Sequence, residues 1–271
     1  MKEVKPEVFM VAETQTNSKD ISAMLEALNV KEPLQAQYPS SPSGSEQLIE
    51  IGGRLCYKSF EVGLNPNVTK IREGNKEYIG NILKHHHGSV LEHGSVTFVL
   101  INVTRVLTHE LVRHRAGCAY SQESLRFVRL TEISYYYPDI FDQIGSKDGM
   151  QGDDSAEVRR LFEEVIRTCE EFQKFAAQIL DVPNLPFEQK KKVTSAMRRA
   201  APIGLATNIM VTANHRAWRH IIEMRTSKHA EEEVILVVSE IARQLQEGFP
   251  NIYQDMSLDD DGQYVFGHSK V

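Results

Sequence analysis

Two stretches of this 271-residue chain constrain its fold more than any other feature. Residues 95–103 (SVTFVLINV) and 205–213 (LATNIMVTA) are rich in β-branched side chains, which suit a pleated, half-buried strand. Each runs directly into a helical, arginine-bearing segment. The first leads to Thr104–Arg115, where Leu107 and Leu111 share a face. The second leads to Asn214–Arg225, where Asn214 is placed to serve as N-cap. No βαβαβ rhythm surrounds them, which argues against a doubly wound parallel sheet. The expected fold class is α+β, a single domain with a mostly antiparallel sheet surrounded by helices.

Around these units the helical signals are clear. Ser43 and Glu46 form a potential capping box before Leu48, Ile49 and Leu55. Residues 155–181 space Val158, Leu161, Phe162, Val165 and Ile166 at helical intervals, and residues 229–247 repeat the pattern with Val234, Ile235, Val238, Ile241 and Leu245. Such stripes read as packing faces between helices or between subunits. Residues 34–46 and 144–154 read as breaks, rich in serine and proline or in glycine and aspartate.

The length allows one large domain or two small ones, with enough core to hold without disulfides or metal. Three scattered cysteines, Cys56, Cys118 and Cys169, make no disulfide framework. With no secretory signal and no apolar run near the roughly 18 residues of a membrane span, a reducing cytoplasm and no membrane partner are expected. The net charge of −6 is opposite to that of a dedicated nucleic-acid binder.

Familiar nucleotide and hydrolase motifs are absent: GxGxxG, GxxxxGK[ST] and GxSxG do not occur. His109 and His114 lie five residues apart, about 140° around a helix, so they cannot chelate one metal as HExxH does. His85, His86 and His87 point in different directions, and the first two read as a solvated helix end. His87, Glu92 and His93 flank the start of the first strand, where a site can form. No metal site is expected.

The most informative stretch runs from Arg113-His114-Arg115 through Tyr120, Ser121, Gln122, Glu123, Ser124 and Arg126 to Phe127. Three guanidinium groups, hydroxyls and a loop's N–H groups make an anion site with a polar rim. A structural ion-pair network is an equal reading of the same groups.

RHR, eight residues, then serine and x-Arg-aromatic resembles the motif of the flavin-dependent thymidylate synthases. His87–His93 resembles that family's HxxxxEH segment. Thr212 to His220 resembles its TxNxRxxxH segment, and Glu223-Met224-Arg225 with His229-Ala230-Glu231 its xLR…HAQ segment. Arg198, four residues before Pro202, matches an arginine ahead of a proline. The departures are Phe127 for tyrosine, and Glu110 and Glu231 for glutamines. The resemblance spans about residues 46–250. It leaves 1–45 as an N-terminal extension, 133–190 as a helical insertion and 251–271 as a tail.

The resemblance implies reductive methylation of dUMP to dTMP, with carbon from 5,10-methylenetetrahydrofolate and hydride from NADPH through FAD. It implies that Arg113, His114, Arg115, Asn214, Arg216 and His220 contact FAD. Glu110, Gln122, Glu123, Ser124, Arg126, Arg198 and Arg225 are then expected to hold dUMP. Arg225, Ser124 and His93 take the catalytic roles, Arg225 at the uracil edge and His93 beside the flavin. The same family builds its site from several subunits of a homotetramer, with Arg198 reaching a neighbour's substrate, and uses no obligatory enzyme nucleophile. Two other classes stay open: a metallohydrolase using the histidine clusters, and a nucleic-acid-binding module drawing on Lys190, Lys191, Lys192, Arg198 and Arg199.

Overall fold

The computed structural model describes residues 1–31, 43–127, 130–145, 154–269 and 271. The chain opens with β1 (Lys2–Glu3), β2 (Glu7–Glu13), α1 (Ser18–Ala27), α2 (Gly44–Tyr57) and α3 (Asn75–Lys84). The first strand–helix unit is β3 (Ser95–Thr104) and α4 (Arg105–Leu111), followed by β4 (Cys118–Gln122) and β5 (Ser134–Tyr135). Next come α5 (Ile140–Gly145), α6 (Asp154–Ile179) and α7 (Phe187–Met197). The second unit is β6 (Ala206–Asn214) and α8 (His215–Arg225). It is followed by α9 (Glu232–Gly248) and the hairpin of β7 (Met256–Leu258) and β8 (Tyr264–Phe266).

Strands β2, β3, β6 and β4 form one four-stranded sheet in that order, every pair antiparallel. The two stretches picked out in the sequence are its centre, paired Ser95 to Asn214 through Thr104 to Ala206. Alternation decides the faces. Val96, Phe98, Leu100, Ile209 and Val211 point inward and are buried. Thr97 and Thr212 meet on the other face, hydroxyl to hydroxyl, at 2.9 Å. Residues from α3, α8 and α9 join the inward face in the main core, where Trp218 meets Phe98 edge-on and donates its indole N–H to the Val96 carbonyl at 3.2 Å.

Residues 1–45 supply β2, an edge strand of this sheet, and the 251–271 segment returns Phe266 to the main core. A smaller core joins Ile166 of α6 to Leu125, Ile133, Tyr135, Tyr137 and Leu205. The capping box at the start of α2 is formed: Ser43 Oγ accepts from Glu46 N at 3.2 Å and Glu46 accepts from Ser43 N at 2.9 Å. Of the two breaks read from the sequence, residues 34–42 and 146–153 lie outside the described residues. No helix among the described residues is long and apolar enough to cross a membrane.

Candidate active site

The site lies where the two strand–helix junctions adjoin. At the first, β3 carries a bulge, and Asn102 takes a left-handed φ of 60° with its N–H donating to Asn208 Oδ1 at 3.0 Å. Asparagine tolerates that conformation better than a branched residue. Thr104 then caps α4, its hydroxyl accepting from Leu107 N at 3.4 Å. Glu233, at the start of α9, grips the same threonine. It accepts the Thr104 N–H at 2.7 Å and the hydroxyl proton on its other oxygen. Burial pushes the Glu233 carboxyl up to about 7.

The sequence places Arg113, His114 and Arg115 at the end of a helix running to residue 115. The helix stops earlier, at Leu111, and the motif occupies the turn beyond it. The Tyr120 hydroxyl lies 3.0 Å from the Leu111 carbonyl and 2.7 Å from that of His114, so its single proton is shared between the helix end and the motif turn. Gly117 closes the turn at φ 71°, and a Cβ there would collide with the Asn214 side chain. The motif turn is thereby seated on the start of α8, where Asn214 Oδ1 accepts from Ala217 N at 2.8 Å.

At the other end of α8, Arg225 reaches back to the motif. Its Nε donates to His114 Nε2 at 2.9 Å. One terminal nitrogen pairs with the Glu110 carboxylate at 2.6 Å, and the other donates to the Glu110 carbonyl at 2.9 Å. His220 lies edge-on to His114, with ring centroids 5.6 Å apart. Burial, with Arg225 and His220 beside it, lowers the His114 imidazole to about 4. The ring is therefore neutral near pH 7, and Nε2 is the acceptor that Arg225 requires.

A second group surrounds Arg105. Its guanidinium donates to the Glu123 carbonyl at 3.2 Å, and burial, then the charge of Arg198, lowers its pKa. The Glu123 carboxylate is held by Asn208, through Nδ2 at 2.8 Å and N at 3.3 Å. Gln122 donates to Thr108 Oγ1 at 3.1 Å, and Ser124 Oγ accepts from Arg126 N at 3.3 Å. Arg105, Thr108 and Asn208 were not singled out from the sequence. An arginine in the first turn of the helix after the strand was the available signal for Arg105.

The remaining expected residues are spread around the two groups. Arg113, Arg115 and Arg126 are exposed. Arg216 pairs with Glu92 at 2.6 Å and also donates to the Val271 carbonyl at 3.2 Å. His93 lies over Gly52 of α2, where a Cβ would stand 3.2 Å from the ring. His87 stacks on Tyr57 at 5.8 Å. Among the described residues, no group of three or more His, Cys, Asp or Glu could hold a metal ion.

At the junctions of the antiparallel sheet the fold thus brings together a neutral imidazole, a guanidinium oriented by it and by Glu110, and a rim of exposed arginines. Comparison with known proteins then gives the family. The chain belongs to the thymidylate synthase complementing protein family, whose model matches residues 39–251. It is 33% identical over 231 residues to a flavin-dependent thymidylate synthase of Mycolicibacterium vanbaalenii, covering 83% of this chain and 85% of that one. It is 32% identical over 227 residues to that of Corynebacterium glutamicum, covering 84% and 86%. Among solved structures, the UMP/dUMP methylase PolB from Streptomyces cacaoi, bound with 5-Br dUMP, shares the fold. Its TM-score is 0.63 at 17% identity, covering 94% of this chain and 96% of that one. Nothing in these likenesses supports the metallohydrolase or nucleic-acid readings.

Proposed function

We propose that the protein converts dUMP to dTMP by reductive methylation, with FAD as cofactor and 5,10-methylenetetrahydrofolate and NADPH as cosubstrates. We place it in the cytoplasm as a homotetramer with shared active sites. The observation that carries this reading is the convergence on Arg225. Two segments far apart in the sequence, Glu110–His114 at the motif turn and Arg225 at the end of α8, meet in one hydrogen-bonded group.

The residues present fit a flavin dinucleotide. Its pyrophosphate needs cationic and N–H donors, and Arg113, Arg115, Asn214, Arg216 and His220 offer them around the motif turn. When bound, FAD supplies the hydride chemistry that no side chain can perform.

The chain's own residues bind and orient. Neutral His114 holds Arg225 Nε, so the guanidinium plane is fixed before substrate arrives. Arg225 then faces the uracil edge, where it stabilises negative charge on the ring as C5 becomes nucleophilic. Glu110 neutralises Arg225 in the absence of substrate. Ser124, Arg126 and Arg198 suit the phosphate, Arg198 from a neighbouring subunit. Gln122 and Glu123, held by Thr108 and Asn208, shape the same pocket. His93 would lie by the bound flavin and help to bind the folate.

The visible spectrum tests the reading. The purified protein is expected to show oxidised-flavin bands or to bind added FAD, and to form dTMP from dUMP only with NADPH and methylenetetrahydrofolate. A colourless protein that takes up no FAD on titration removes it.

A further inference from the structure

Helix α6 has two apolar faces, and its own subunit covers one of them. The inner face packs through Ile166 and Phe162 on the smaller core. On the outer face Val158, Leu161, Val165, Phe172, Phe175 and Ile179 are between 39% and 81% exposed. With Thr168 between them, the intervals along this row alternate three and four residues from Val158 to Ile179. That is a heptad seam, the period at which one helix keeps a constant face toward another. The polar member is already satisfied, because the Thr168 hydroxyl donates to the Glu164 carbonyl at 2.8 Å.

We propose that this seam pairs with the same seam of a second copy, antiparallel, about a two-fold axis near Thr168. The pairing deepens the homotetramer of the proposed function, on which it rests, by assigning it a surface. Three observations select this occupant. First, the two halves of the seam differ in size. Val158, Leu161 and Val165 are aliphatic, whereas the other half carries Phe172 and Phe175. Antiparallel pairing sets each ring against the partner's aliphatic half, while parallel pairing stacks rings on rings and valines on valines. Second, the area suits a subunit contact. Six large side chains about half exposed leave roughly 500 Å² of apolar surface per copy, a large share of the roughly 800 Å² a side of a stable interface. Third, the acidic edge of the seam is neutralised within its own helix. Arg160 pairs with Glu157 at 2.8 Å and Glu164 at 3.0 Å, which damps repulsion between the two copies. A two-fold contact of this kind is self-complementary and closed, so it does not propagate into fibres.

The test uses the full chain with Cys56→Ser, Cys118→Ser and Cys169→Ser, into which single cysteines are returned. Thr168→Cys is expected to cross-link to a covalent dimer with a bis-maleimide spanning about 10 Å, the separation of packed helices. Val158→Cys alone and Ile179→Cys alone are expected not to, since each would lie roughly 30 Å from its copy. A mixture of the two proteins is expected to cross-link. Phe172→Glu with Phe175→Glu should at least halve the mass seen by light scattering while the far-ultraviolet dichroism stays helical. If that variant misfolds, the cross-links alone decide. A monomeric wild-type protein, no cross-link at Thr168, equal self-cross-linking at Val158 or Ile179, or an unchanged mass in the folded glutamate variant overturns the proposal. The flavin spectrum of the same samples separates the two readings. A colourless protein that cross-links at Thr168 keeps the seam and loses the flavin, and a yellow one that does not has the reverse outcome.

Discussion

Arg225 is the residue on which the site turns. It sits at the C-terminal end of α8, eleven residues from Asn214, so one helix presents both groups on the same side, about three turns apart. Replacing it by alanine should leave FAD bound but weaken dUMP binding. Losing a charge-assisted hydrogen bond costs about 1.5–3 kcal/mol, one to two powers of ten. Turnover should fall further if the contact strengthens in the transition state. Arg225→Lys should recover little, because an ammonium cannot span His114, the Glu110 carboxylate and the Glu110 carbonyl at once. Titration with dUMP and a dTMP assay decide it, and wild-type affinity and turnover in Arg225→Ala would take Arg225 out of the site. Glu233 carries a pH signature. Its carboxyl titrates near 7 in the fold against an ordinary 4.5, so between those values the folded chain holds a proton that the unfolded chain has lost. The stability from this group is full below pH 4.5 and declines as pH rises through 7, by at most about 1.4 kcal/mol per pH unit. Glu233→Gln should remove that decline in urea unfolding measured from pH 5 to 8. Parallel curves for the two proteins would refute the assignment.

At the scale of elements, the short helix α4 is the component that places the motif. It is fixed at its start by the Thr104 cap and Glu233, and at its end by Tyr120. Removing the cap hydroxyl in Thr104→Val should cost about 1–2 kcal/mol, because Leu107 N loses an acceptor and Glu233 loses a donor. Gly117→Ala is expected to be worse for function than for stability. The φ of 71° and the Asn214 side chain both oppose a Cβ, so the turn must move away from α8. The strain should cost more than about 1 kcal/mol and lower FAD affinity together with it. Thermal unfolding and flavin titration read the two effects, and a variant with unchanged flavin affinity would detach the turn from the cofactor.

For the whole molecule, the thiols offer a test of chemistry. Cys56 is exposed, while Cys118 lies at the motif strand with its thiol pushed up by burial, the wrong direction for a nucleophile. Replacing Cys56, Cys118 and Cys169 by serine should leave dTMP formation largely intact. Abolished turnover in a folded, FAD-loaded variant would show that a covalent thiol step operates after all.

Local chemistry was legible along the chain wherever a short segment settles its own structure. The β-branched runs are the two central strands, Asn214 and the Ser43–Glu46 pair cap their helices, and the 155–181 and 229–247 stripes are helical. The linear order of motifs was also sufficient to indicate the family. What the sequence could not show depends on distant segments meeting. Residues 1–45 read only as an extension outside the motifs, yet Glu7–Glu13 joins the sheet as β2, pairing with the edge of β3. The helix after β3 ends at Leu111, earlier than periodicity suggests, because Tyr120 and Gly117, both later in the chain, make the turn favourable. Glu233 and Thr104 are 129 residues apart, and Arg225 meets Glu110 and His114 across 115 and 111. Hydrophobic pattern and capping act within a few residues. The neutral state of His114, the grip on Arg225 and the choice of which face of α6 is left open exist only once the packed chain has set burial and charge around them.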